Sequence, residues 1–158
     1  MDYRGFKAKD KITGYEGIVN SHYVYLYNVD RIGIQSQELN DGQPKESVYF
    51  DINQIEFIGD APVIEPVKLI DNPFKLGDLV EDELSNYQGK ITAFGYWLNG
   101  CVRCICQSPQ LKDGVPVEEA FLNIKQLRLK KQEVVKEENK NVKVGGPMKA
   151  PKVMRNPK

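Results

Sequence analysis

The sequence predicts an all-β chain made of two small barrels in tandem. Three observations carry this. The chain repeats itself: residues 10–57 lie on residues 82–129 at a constant offset of 72, without a gap, and fourteen of the forty-eight pairs are identical. Internal repetition at this length marks a duplicated structural unit. Each copy also consists of short β-branched and aromatic runs separated by turn residues, with no segment of helical period. Five such runs in some fifty residues point to a small closed or half-closed barrel.

The elements follow in order. Residues 12–19 contain Thr13-Gly14-Tyr15-Glu16-Gly17, a turn feeding a strand, and the twin is Ser85-Asn86-Tyr87-Gln88-Gly89. Residues 22–27 are aromatic and β-branched, which favours a strand. Residues 29–35 alternate, as do 101–107. Asp41-Gly42 and Asp113-Gly114 are turn dipeptides between extended runs, a hairpin signal. Residues 47–50 read as another strand, and residues 53–57 as the strand that closes the copy. The first repeat therefore spans residues 1–58 and the second 74–130. Between them, residues 59–73 form a linker with Pro62, Pro66 and Pro73, extended and semi-rigid. Val63, Ile64, Val67, Leu69 and Ile70 make it too apolar for a free tether, so it is expected to lie against the barrels. Residues 130–138 are a short charged stretch compatible with a helix. Residues 131–158 form a basic extended tail, expected to be disordered in isolation, with Gly145, Gly146, Pro147, Pro151 and Pro157.

The second repeat opens with Lys75-Leu76-Gly77-Asp78-Leu79-Val80, then Tyr87, Gly89 and Ile91. This resembles the start of KOW and other SH3-like barrels. The repeat also resembles a family of small proteins encoded by tailed bacteriophages, through Lys75, Gly77, Asp78, Tyr87, Gly89, Gly100, Cys101, Asp113 and Gly114. The first repeat departs from the pattern, since Phe6-Lys7-Ala8-Lys9-Asp10 lacks the Gly-Asp turn. The resemblance covers both repeats and not the tail. It implies two SH3-like barrels and a viral protein of the host cytoplasm or the virion. It implies no activity and transfers no catalytic residues.

The net charge of zero conceals a division. From Lys131 onward there are eight basic and three acidic residues, a net of +5, so the preceding 130 residues carry −5. Such asymmetry is a signal about partners. Neutralising phosphates along a duplex takes Lys and Arg, so an acidic body makes nucleic acid the less favoured partner. No apolar run approaches the roughly 20 residues of a membrane span. The start has no apolar stretch like a signal peptide, so a cytoplasmic setting and reduced cysteines are expected.

The duplication tests each candidate for chemistry. Cys101, Cys104 and Cys106 have a spacing compatible with part of a zinc site, but their twins are Val29, Ile32 and Ile34. They read as core thiols, with no metal and no cofactor expected. The single histidine, His22, has Phe94 as its twin, so the position asks for a ring. No phosphate-binding glycine loop and no repeated nucleophile–base pair is present. A non-enzymatic protein is expected.

Polar residues kept in both copies are the remaining candidates: Asp10/Asp82, Arg31/Arg103, Gln35/Gln107, Glu46/Glu118 and Gln54/Gln126. Arg31 and Gln35 share one face of a strand. Either Arg31 and Arg103 clasp a carboxylate of Asp10/Asp82 or Glu46/Glu118, or they belong to a repeated binding site. That site would contain Arg31, Arg103, Gln35 and Gln107, with Tyr25 and Trp97 from the aromatic strand. The aromatics themselves are divided between core and recognition patch. In the tail, Lys143, Met148, Lys149, Lys152, Met154 and Arg155 suit docking on a protein surface. The leading expectation is association with a protein partner or with itself, as a virion accessory component or an inhibitor of a host factor. The alternatives are an oligomeric sponge for a nucleotide immune signal and a KOW-like module bound to RNA or the ribosome.

Overall fold

The alternating runs become strands throughout. The computed structural model describes residues 1–130. The tail and its docking residues Lys143, Met148, Lys149, Lys152, Met154 and Arg155 lie outside the described residues, as does nearly all of the charged stretch before them. The first half contains β1 (Lys7–Asp10), β2 (Glu16–Tyr25), β3 (Arg31–Gln35), the hairpin β4 (Leu39–Asn40) and β5 (Gln43–Pro44), β6 (Val48–Asp51), and β7 (Ile55–Ile58). The second contains β8 (Leu79–Asp82), β9 (Gln88–Trp97), β10 (Val102–Gln107), β11 (Leu111–Lys112), β12 (Val115–Pro116), β13 (Ala120–Asn123) and β14 (Leu127–Leu129). A 3-10 turn precedes the last strand of each half, at Ile52–Gln54 and Ile124–Gln126. Every element begins 72 residues after its counterpart, apart from a one-residue difference at β10. The chain is all-β.

Two sequence expectations need correcting. Residues 53–57 are not one strand, because their first two residues belong to the 3-10 turn. Residues 12–19 and 22–27 do not hold separate strands, because β2 runs unbroken through Asn20 and Ser21. A bulge between Val19 and Ser21 lets it do so. The extra residue shifts the in–out phase, which erases a clean period of two. The twin bulge falls at Thr92, where Ile105 pairs Ala93 and Cys106 pairs Ile91. Asp41-Gly42 and Asp113-Gly114 do make tight turns, with φ of 49° and 76°, and 53° and 76°.

In each half the strand order is the same. β1 lies between β7 and β2, and β3 lies between β2 and β6; β8 lies between β14 and β9, and β10 between β9 and β13. Among the described residues no ladder joins β6 to β7 or β13 to β14, so neither half closes by hydrogen bonding. Each has its own apolar core. One holds Ala8, Val19, Ile32, Ile34 and Ile55. The other holds Val80, Ile91, Phe94, Val102, Cys104, Cys106, Ile124 and Leu127.

The halves fuse through β2 and β9, which pair antiparallel over their C-terminal parts. The register is self-complementary. Ser21 faces Trp97 while Ala93, the twin of Ser21, faces Tyr25, the twin of Trp97. Tyr23 faces its own twin, Gly95. A local two-fold axis therefore passes between Tyr23 and Gly95, as in an isologous dimer interface. The bulge carbonyls complete it: Leu98 N donates to Asn20 O at 2.7 Å, and Leu26 N donates to Thr92 O at 2.8 Å. A third apolar cluster sits on this seam, with Tyr23, Ala93 and Ile105 buried beside Tyr25 and Trp97.

The linker lies on both halves. Val63 N donates to Gly5 O, and Val67 N donates to Leu98 O. Leu69 and Ile70 pack on the second core. Arg4, 4% exposed, ties the parts together. Its guanidinium donates to Val67 O at 3.0 Å, to Trp97 O at 2.8 Å, and to the Asp2 carboxylate. No helix of the described residues is long and apolar enough to cross a membrane.

Candidate functional site

The seam opens on one face into a groove of about 440 Å³. Tyr23, Tyr25 and Trp97 reach it from the paired strands, Arg31 from β3, Tyr49 from β6, Arg103 and Ile105 from β10, and Phe121 from β13. Most of these are twin pairs: Tyr25/Trp97, Arg31/Arg103 and Tyr49/Phe121. Each half thus contributes the same three positions to one groove around the axis. A second hollow of about 480 Å³ continues it past Tyr25, Arg31, Ile105 and Phe121 to Tyr27, Thr92 and Glu119.

Tyr23 fills the axis. Its ring stands edge-on to Trp97 at 6.1 Å and to Tyr49 at 5.6 Å. Two tyrosines facing each other there would collide, and Gly95 removes the clash: a Cβ on Gly95 would lie 2.6 Å from the Tyr23 ring. Burial pushes the Tyr23 hydroxyl well above the usual tyrosine range, and neighbouring Tyr49 adds to this. Burial also raises Tyr25. Both are therefore neutral phenols at physiological pH, able to donate hydrogen bonds.

Each arginine lies over an aromatic ring. The Arg31 guanidinium is 6.0 Å from the Tyr25 centroid, and Arg103 is 5.9 Å from Trp97. This is the outer range of a cation–π contact. Here the halves diverge. Arg31 Nε donates to Asp51 Oδ1 at 3.1 Å. The twin of Asp51 is Asn123, opposite Arg103 in the ladder. Among the described residues Arg103 makes no ion pair.

The six predicted binding residues divide. Arg31, Arg103, Tyr25 and Trp97 meet in the groove. Gln35 and Gln107 do not line it. Gln107 Nε2 donates to Val117 O at 2.8 Å and Ser108 O at 3.2 Å, and Gln35 Nε2 donates to Lys45 O and Ser36 O. Both therefore anchor the hairpin loops. The expected arginine clasp exists only in the first half, and with a different acid. Asp10 and Asp82 instead close tight turns, because Asp10 Oδ2 accepts from Thr13 N and Oγ1, and Asp82 Oδ2 from Ser85 N and Oγ. Tyr49 and Phe121 were not singled out in the sequence, although they too are an aromatic twin pair.

The other candidates sit elsewhere. His22 is edge-on to Tyr3 and 3.2 Å from Asp30. Cys104 and Cys106 are buried in the second core with sulfurs 3.5 Å apart. Contact with Cys104, together with burial, pushes the Cys106 thiol up. Among the described residues no group of three or more His, Cys, Asp or Glu gathers as a metal site. A hollow of about 470 Å³ beside Tyr15 is lined by Lys7, Glu16, Glu38 and Lys45. Its charges are spent on each other, Lys7 on Glu16 at 2.5 Å and Lys45 on Glu38 at 2.6 Å. No family model, curated protein or solved structure matches the chain.

Proposed function

We propose that this chain is a non-enzymatic binding protein that captures a ligand in the seam groove. The observation that carries the reading is the convergence of Arg31, Arg103, Tyr25 and Trp97 on one concave face. Its volume lies in the range of small-ligand sites, which are mostly apolar with a few placed polar groups. Arginine forks recognise anions, and the aromatic faces take a flat group. We read the groove as a site of retention rather than turnover. Each half is read as an SH3-like barrel. The shared order of five main strands and the 3-10 turn before the last one support this. The likeness of the repeats to tailed-phage proteins supports a viral role in the host cytoplasm, such as sequestering a small anionic signal.

Association with a protein is the second reading. Phe121 is 65% exposed and Tyr27 79% exposed at the groove's rim, and Tyr, Trp and Arg dominate interface hot spots. One experiment addresses both readings. Trp97 is the only tryptophan and lines both the groove and a smaller hollow beside Ile64 and Val67, so an emission change reports the groove where groove variants abolish it. The purified full chain would be titrated with small-molecule and protein fractions of host extract. A change of Trp97 emission with the small-molecule fraction, lost in Arg31→Ala/Arg103→Ala, is the expected result. Emission indifferent to every fraction would refute the groove as the binding site.

A further inference from the structure

The groove is duplicated in shape but not in charge. At one end Arg31 is held by Asp51, and Glu119 lies beyond Tyr25. At the other end Arg103 lies over Trp97 and faces the neutral Asn123. Two carboxylates thus accompany one arginine, and none in the groove accompanies the other. An anion entering this site meets net positive charge only at the Arg103 end. A group rich in N–H donors finds carboxylate acceptors at the Asp51 and Glu119 end. The rings of Trp97, Tyr25 and Phe121 line the groove as well, with Tyr23 on the axis.

We infer that the groove takes a nucleotide in one orientation, with its phosphate on Arg103 and its amino-bearing base towards Tyr25, Asp51 and Glu119. This rests on the ligand-capture reading above and gives it a chemical class. The guanidinium fork matches phosphate oxygens in a bidentate manner. A base stacks on aromatic side chains whatever its sequence identity. An exocyclic amine satisfies the carboxylates that would repel a second phosphate. The same argument disfavours a two-fold symmetric cyclic dinucleotide, despite the two-fold shape of the site, because its second phosphate would meet Asp51. Asp51 is then the specificity-determining residue and Asn123 its permissive twin.

The test uses the full 158-residue chain, with Trp97 fluorescence and calorimetry against AMP, adenosine, inorganic phosphate and 3′,3′-cyclic di-AMP. AMP is expected to bind at least tenfold more tightly than adenosine or phosphate alone. Arg103→Ala and Arg103→Gln should each weaken AMP at least thirtyfold, and Arg31→Ala less than fivefold. Arg103 is exposed, so both variants should keep the wild-type circular dichroism. Asp51→Asn, which frees Arg31, should strengthen cyclic di-AMP at least tenfold. Equal losses at Arg31 and Arg103, phosphate binding as tightly as AMP, or no gain in Asp51→Asn would each overturn the inference. If no nucleotide perturbs Trp97 while an extract fraction still does, the nucleotide assignment falls and the groove remains a binding site. If AMP binds with Trp97 silent and Arg103→Ala unaffected, the groove itself is the wrong site.

Discussion

At the scale of single residues, Gly95 carries the largest structural demand. Its side of the two-fold axis is occupied by the Tyr23 ring, which is wedged among Tyr25, Tyr49 and Trp97. A methyl group added at Gly95 meets ring carbons at 2.6 and 2.7 Å. Gly95→Ala is therefore expected to destabilise the chain by about 1–3 kcal/mol, the usual cost of overpacking. Chemical denaturation with the slope unchanged would measure it. A loss below a few tenths would show that the ring moves freely. A second residue-scale expectation concerns acid. The Thr13 hydroxyl beside Asp10 holds its carboxyl below the usual aspartate value. A depressed folded pKa gives stability that is full above the unfolded value of about 3.9 and fades as pH falls below it. Asp10→Asn should flatten the stability profile below about pH 4; a slope as steep as wild type would assign the acid limb to other groups. Comparison of twins in the sequence picked Asp10, Arg31 and Gln35 alike as kept polar residues, and placed Arg31 and Gln35 together in the binding site. A polar residue kept for a turn, a groove or a hairpin anchor leaves the same trace in two copies. Only the contacts separate them.

At the scale of elements, the hairpins and the long strands were legible to different degrees. Asp41-Gly42 and Asp113-Gly114 announce their turns because few residues other than glycine tolerate the left-handed backbone. The strands β2 and β9 were obscured because each serves two partners along one edge. β2 gives its first residues to β1 and its last to β9. Both faces are then partly buried, and the bulges at Asn20 and Thr92 break the alternation on which sequence reading depends. The anchoring glutamines make an element-scale prediction. Gln107→Ala would leave the carbonyls of Val117 and Ser108 without their donor, which costs about 1–3 kcal/mol if they stay dry. Amide exchange should speed up across β11 and β12 while Trp97 emission stays as in wild type. A changed Trp97 signal with the hairpin still protected would instead return Gln107 to the binding site.

At the scale of the whole molecule, the question is whether the chain behaves as two domains or one. The sequence divides into two repeats near the lower size limit for independent folding. The seam cluster draws Tyr23 from one half and Ala93 and Ile105 from the other. Neither half has that cluster alone, and the groove exists only when both are docked. Arg4 adds a polar bond to the same union, since it is buried and reaches carbonyls of the linker and of β9. Hydrogen bonds to a charged donor contribute about 1.5–3 kcal/mol where both partners are out of water. Arg4→Ala should therefore weaken the docking of the halves more than either core. The wild-type chain is expected to unfold in a single calorimetric transition whose van't Hoff and calorimetric enthalpies agree. In Arg4→Ala the Trp97 transition should come first, at lower temperature than the loss of strand signal in circular dichroism. Two separated transitions in the wild type would mean that the seam is a weak contact between autonomous units. The groove would then open and close with it, and ligand would be expected to merge the two transitions by binding only the docked form.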